Sequence, residues 1–211
     1  MAQLRTSPIK FDLEPLTVEE IDGWKVIREY KNQKKDPLLI DLSHRPSWDF
    51  QNKDMLSFNT PELCIPADMN GVTRQGNLFV SRMNQTQAQI WSLDGITPSL
   101  ESLTPGCTDI TDGQAVLALM GKELDQVFES LLPLEMFKPG ETGMKLFQTP
   151  LFHIPCQILV LDRSEKMKVV IISCPRGYGN DMAKAILKSA APHGLAPGGK
   201  NVFLSWLNSG E

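Results

Sequence analysis

A chain of 211 residues, 41% of them aliphatic, aromatic or cysteine and 22% charged, has the make-up of one large or two small globular domains with a buried core. Twenty-one Lys and Arg against 25 Asp and Glu leave a formal charge of −4, without the basic surplus that a nucleic-acid backbone demands of its partner. The longest apolar runs, such as residues 156–161 and 169–173, fall far short of the ~20 residues of a membrane span, and residues 1–15 hold no apolar signal core, so a cytoplasmic protein is expected, with neither nucleic acid nor membrane as partner.

In chain order, residues 16–22 read as one helical turn, with Thr17 and Glu20 at capping-box spacing. Residues 24–30 alternate Trp24, Val26 and Arg28 against Lys25, Ile27 and Glu29, which is a strand pattern. After a charged turn over 31–36, Pro37-Leu-Leu-Ile-Asp-Leu-Ser43 reads as a buried strand. Residues 44–76 are polar and turn-rich. Residues 77–83 and 87–93 are expected to form a hairpin around Asn84-Gln85-Thr86. Residues 115–120 read as a strand ending at Gly121, and Leu124, Val127, Phe128, Leu131 and Leu132 then recur at helical spacing over 122–132. Three strands follow over 143–152, 156–161 and 168–173, then a helix over 180–190 with Asn180 or Asp181 as its N-cap, and a short apolar tail over 202–207. This order predicts an α+β fold of mainly antiparallel sheets with a few helices packed on one face, residues 96–109 being the candidate break between two halves of one unit.

Chemistry-bearing residues are scattered. Cys64, Cys107, Cys156 and Cys174 lie far apart and read as reduced thiols, and His44, His153 and His193 have no ligand spacing, so no metal site is expected. There is no G-x-S-x-G motif and no cysteine in a thiolate-favouring setting, so no catalytic residue is assigned. Arg176-Gly-Tyr-Gly179 passes from a strand to a helix, where N–H groups can hold an anion. It lacks the third glycine of a dinucleotide fingerprint and reads as a tight turn with Arg176 and Tyr178 at the surface. Residues 82–91 are rich in amides and carry Arg82 and Trp91, which suits either a pterin or glutamate site or a polar hairpin with Trp91 turned inward. Asp41-Leu-Ser-His-Arg45 gathers an acid, a hydroxyl, an imidazole and a guanidinium at one strand end, as a functional cluster or as a local hydrogen-bond cluster.

Several stretches together resemble the gamma subunit of heterotetrameric sarcosine oxidase, within the folate-binding superfamily of the glycine-cleavage T-protein. They are Thr108-Asp-Ile-Thr-Asp-Gly-Gln-Ala-Val-Leu-Ala-Leu-Met-Gly121, the helix running into Leu-Leu-Pro-Leu-Glu135, Phe137-Lys-Pro-Gly140, Pro155-Cys-Gln-Ile-Leu159 and Cys174-Pro-Arg-Gly-Tyr178. Leu38-Leu-Ile-Asp-Leu-Ser-His44 and Ala191-Pro-His-Gly-Leu-Ala-Pro197 are similar to the general T-protein pattern. The resemblance spans roughly residues 37–205. It implies a T-protein-like N-terminal folate-binding domain over 37–211, a ferredoxin-like pair lacking the C-terminal barrel, after an N-terminal extension over 1–36.

The departures from the family pattern shape the functional expectation. The acid that the family places in a glycine-rich hairpin aligns with Gly76-Asn77, and an asparagine cannot act as a general base. The family's folate-holding Glu aligns with Met167, with Glu165 two residues away. Asn77, Arg82 and Glu165 are therefore the folate-binding candidates, with tetrahydrofolate the ligand that the resemblance leaves open and no cofactor expected on the chain alone. The resemblance implies a non-catalytic, gamma-like accessory subunit of a heteromeric sarcosine-oxidase-like complex for folate- or flavin-linked amine oxidation, with larger oxidase-like subunits as partners. One alternative is a small tetrahydrofolate-dependent aminomethyl- or methyltransferase. Another is a self-associating binding module that uses the 202–207 tail as its interface.

Overall fold

The computed structural model describes residues 5–55, 63–76, 78–95, 106–138 and 140–209. Of the expected features, Asn77 and residues 96–105 of the candidate break lie outside these. The centre of the fold is a six-stranded sheet in the order β10 (Lys145–Leu151), β11 (Ile154–Arg163), β12 (Lys168–Pro175), β9 (Gln114–Gly121), β3 (Leu38–Asp41) and β13 (Ala196–Gly198). All neighbours are antiparallel except β13 on β3. The sheet is buried on both faces, which is why β9 and β12 read as unbroken apolar runs rather than alternating ones.

One face carries Leu117, Leu119, Ile158, Val160, Val170 and Ile172 against α1 (Leu124–Leu131) and α2 (Gly179–Ser189). The two expected helices thus share one face, and α1 buries Leu124, Val127, Phe128 and Leu131 at the i, i+3, i+4, i+7 positions of a single stripe. The other face carries Val116, Ala118, Met120, Leu159 and Ile171. It is covered by α3 (Lys200–Ser209) and by a second, five-stranded sheet in the order β5 (Val72–Gln75), β6 (Leu78–Arg82), β7 (Gln87–Ser92), β4 (Ser47–Gln51) and β8 (Cys107–Asp109). The second sheet backs onto its own core of Trp48, Phe50, Val80 and Ile90.

Three local expectations give way. Residues 16–22 form no helical turn: β1 (Pro15–Ile21) pairs with β2 (Trp24–Tyr30) in a hairpin closed at Ile21 opposite Trp24. Asp22 and Gly23, at φ 48° and 80°, supply the two left-handed residues that such a turn requires, and this outweighs the capping-box spacing. The polar 44–76 stretch contains two strands, β4 and β5. Neither Asn180 nor Asp181 caps α2, which starts one residue earlier at Gly179. The Asn180 side chain instead accepts the Lys10 N–H at 3.3 Å, and a Cβ on Gly179 would lie 2.7 Å from that of Ala115, so the helix begins pressed against the sheet. The 202–207 tail is α3, and its apolar stripe is occupied within the chain, with Phe203 and Leu207 buried against the sheet.

Candidate functional site

The hairpin of β6 and β7 turns at Asn84, whose side chain accepts the Thr86 N–H at 2.9 Å. Alternation along β6 places Leu78 and Val80 toward the outer core and Phe79 and Ser81 toward the six-stranded sheet. Arg82 therefore points outward. Its Nε donates to the Asn84 carbonyl at 3.2 Å and its Nη1 to the Ala67 carbonyl, so the buried guanidinium ties the 66–67 loop to the hairpin. Glu165 is exposed in the turn between β11 and β12. Six residues of β11, about 20 Å of strand, separate Arg163, next to that turn, from Gln157, which meets Met83 beside Arg82. The structure does not bring Arg82 and Glu165 together.

What it does assemble is a row of amides across one end of the six-stranded sheet. Gln148 lies opposite Gln157, Gln157 lies opposite Ser173, and the Ser173 hydroxyl meets the Gln114 side chain. These residues and Met83 line a cleft of about 540 Å³. Gln148 Nε2 donates to the Met83 carbonyl at 2.8 Å and to Asn70 Oδ1 at 3.1 Å, while Gln157 Oε1 is buried without a hydrogen-bond partner. Cys156 and Cys174 also line the cleft, with Thr149 and three prolines. Burial pushes their thiols up to about 11 and about 12, so both are protonated near neutrality and are poor nucleophiles.

The inner face of the second sheet is also polar. Asp49 accepts Gln87 Nε2 at 2.7 Å and Gln51 Nε2 at 2.6 Å, which engages both its oxygens. Ser47 Oγ, both amide atoms of Gln89, the Trp91 indole nitrogen and Arg45 Nε and Nη2 are buried without hydrogen-bond partners. Burial lowers the Arg45 guanidinium to about 10, against the opposing charge of Asp94. Trp91 thus turns inward, and the amide-rich segment lies in a polar hairpin. Amides offer donors and acceptors together and can orient a flat heterocycle, but they neither take nor give protons at neutral pH. The cleft glutamines come from strands far apart in sequence. Their signal was modest: Gln148 and Gln157 interrupt the inward apolar positions Leu146, Leu159 and Leu161.

The Asp41–Arg45 cluster divides. Arg45 lies toward the second sheet, its Nη1 beside Gly95, while Asp41 and His44 line a separate cavity near the N-terminal segment. Arg176 is half-buried, donating to the Thr6 carbonyl at 2.5 Å and stacking over Trp24, whereas Tyr178 is exposed. No cluster of three or more His, Cys, Asp or Glu side chains suited to a metal occurs among the described residues.

An α+β unit with two helices on one face of a mostly antiparallel central sheet, and a third helix and a second sheet on the other, is the aminomethyltransferase-like fold of the glycine-cleavage T-protein. Solved structures share it, among them the following two. The chain superposes on heterotetrameric sarcosine oxidase from Corynebacterium sp. U-96, solved with pyrrole 2-carboxylate, with a TM-score of 0.60 and 15% identity, covering 73% of this chain and 83% of that one. It superposes on the glycine cleavage system aminomethyltransferase T of Bartonella henselae with a TM-score of 0.64 and 15% identity, over 94% of this chain but only 60% of the transferase. No family model matches the sequence, and no curated protein matches it.

Proposed function

We propose that the chain is a non-catalytic accessory subunit that packs on a larger subunit of a sarcosine-oxidase-like, folate- or flavin-linked amine-oxidising complex in the cytoplasm. The carrying observation is the likeness to the sarcosine oxidase chain, which reaches across 83% of that chain. The chemistry of the cleft supports it: the lining is amide, hydroxyl, thioether, protonated thiol and proline ring, with no carboxylate among the described lining residues to serve as general base. In this reading residues 37–211 are the subunit's domain and residues 1–36 an extension to it. Purified alone and mixed with the neighbouring oxidase subunits at concentrations well above micromolar, the chain is expected to co-elute with them in gel filtration. Separate elution overturns the reading.

Tetrahydrofolate is a second reading, favoured by the unpartnered Gln157 Oε1 and by the mixed amide donors and acceptors of a cleft large enough for a flat ring system. Gln148, Gln157 and Gln114 are the residues that would hold it. Of the three candidates, Asn77 lies outside the described residues, Arg82 is engaged on the outer face and Glu165 is remote. Saturable calorimetric binding of tetrahydrofolate to the isolated chain, lost in Gln157→Leu, favours a folate-binding role; a flat titration removes it.

A further inference from the structure

A second cavity, of about 350 Å³, lies between the N-terminal segment, β2 and the end of β3, away from the amide cleft. Its body is apolar and aromatic, with Ile9, Phe11, Trp24 and Val26 in its walls. Asp41 is the carboxylate of the lining. Its Oδ2 accepts the Ser7 hydroxyl at 2.5 Å and its Oδ1 the Ser43 N–H at 2.9 Å. None of the ion pairs among the described residues includes it.

A desolvated carboxylate without a direct ion pair is costly, and burial raises the Asp41 carboxyl above the usual range, against the hydrogen bonds from Ser7 and Ser43 and the more distant charge of Arg176. Two further groups in the lining have polar atoms to offer. Tyr30 is raised by burial and then by the charge of Asp41, and its hydroxyl makes no hydrogen bond to a described residue. His44 is held neutral, its pKa pulled down to about 3 by burial, and its Nε2 is buried without a partner. A carboxylate, a phenol oxygen and a neutral imidazole beside an apolar wall make the inner end of the pocket rich in acceptors, while Lys10 and Lys25 stand at its exposed rim. An ammonium group carries three donors and one positive charge.

We propose that this cavity binds a small organic ammonium compound, its ammonium group against Asp41 and its aliphatic or aromatic body against Phe11, Trp24 and Val26. The ammonium can belong to a simple amine or to an amino acid, whose carboxylate would then face Lys10 or Lys25 at the rim. The site stands apart from the accessory-subunit reading and does not depend on it.

Calorimetric titration of the full chain with phenethylamine, L-phenylalanine and 3-phenylpropanoate tests the assignment. Saturable binding of at least one of the two ammonium compounds is expected, about tenfold or more tighter than that of the carboxylate lacking nitrogen. The amino acid binding more tightly than the amine would assign the source as an amino acid, and the reverse order a simple amine. Asp41→Asn, which keeps shape and removes charge, is expected to weaken binding about tenfold or more. Leu13→Trp, at a partly exposed lining position, is expected to weaken it by occlusion and keeps the test open should Asp41→Asn fail to fold. No binding by either ammonium compound overturns the proposal. So does equal binding of 3-phenylpropanoate, or affinity unchanged in the folded variants.

Discussion

Replacing Arg82 with methionine separates a structural guanidinium from a ligand-binding one. The side chain is 8% exposed, and its bonds run to the carbonyls of Asn84, at 3.2 Å, and Ala67; the Pro66 carbonyl at 3.5 Å lies at the limit of a hydrogen bond and is left out of the sum. A bond from a charged donor contributes about 1.5–3 kcal/mol, and partial burial favours the lower end, so two bonds amount to about 3 kcal/mol. Methionine fills much of the volume, so the loss is that of the bonds and of the carbonyls left without partners. For a chain of this size about 3 kcal/mol lowers Tm by about 6–12 °C. Urea unfolding should show a lower midpoint with an unchanged slope, since the surface exposed on unfolding stays the same. Arg82→Lys, which can reach one carbonyl with a point charge, should fall between wild type and Arg82→Met. A methionine variant within about 0.5 kcal/mol of wild type would refute the structural role and leave the guanidinium available to a ligand.

Other perturbations follow from single contacts. A Cβ on Gly199 would overlap the Arg28 carbonyl, and the Gly199 N–H donates to Gln33 at 2.7 Å, so Gly199→Ala should part β2 from α3 and cost more than about 2 kcal/mol in urea unfolding. Phe203→Ala empties a fully buried position between α3 and the central sheet and should cost about 3–5 kcal/mol. His44, neutral in the fold with a pKa near 3, binds a proton in the unfolded chain below about 6.5. Its contribution to stability is thus complete above that pH and declines as pH falls toward about 3, by on the order of 1.4 kcal/mol per pH unit. Because Asp41, with its raised carboxyl, acts in the opposite direction, the measurement is the stability difference between wild type and His44→Leu across pH 4 to 7, which should shrink on the acid side. At pH 8 a thiol reagent should modify exposed Cys64 first, while Cys156 and Cys174, with about one thiolate in a thousand or fewer, react only after unfolding.

The reach of the sequence into this fold follows burial. Strands with a partner on each face, β3, β9 and β12, are continuous apolar runs bounded by Gly and Pro, and α1 carries a four-residue apolar stripe, so both kinds of element were legible. β1 was not, because Leu16 and Val18 are exposed and the strand is specified by the Asp22-Gly23 turn rather than by its own pattern. The third helix was hidden for a similar reason: Phe203 and Leu207 form a stripe of two buried apolar residues, too few to fix a period. Arg82 marks a different limit. Phe79 and Val80 are both apolar and buried, one toward each core, so nothing in β6 itself tells which face the arginine takes. Its direction depends on which core lies behind the second sheet, and that is a tertiary fact.

The amide cleft shows why a binding site can be invisible even where every strand is found. Gln114, Gln148, Gln157 and Ser173 share no motif and span three connections; only the registers of β10 on β11, β11 on β12 and β12 on β9 set them in one row. The strand-end cluster at Asp41 was visible as a motif, yet its partners Ser7 and Tyr30 come from the N-terminal segment and from β2. Register is fixed by the whole core rather than by the residues it brings together. A one-residue slip of β11 would carry Gln157 to the helix side and put Cys156 or Ile158 in its place in the amide row. The apolar residues around the row therefore set its composition, and substitutions that loosen β11 in its sheet should alter the cleft before they unfold the chain.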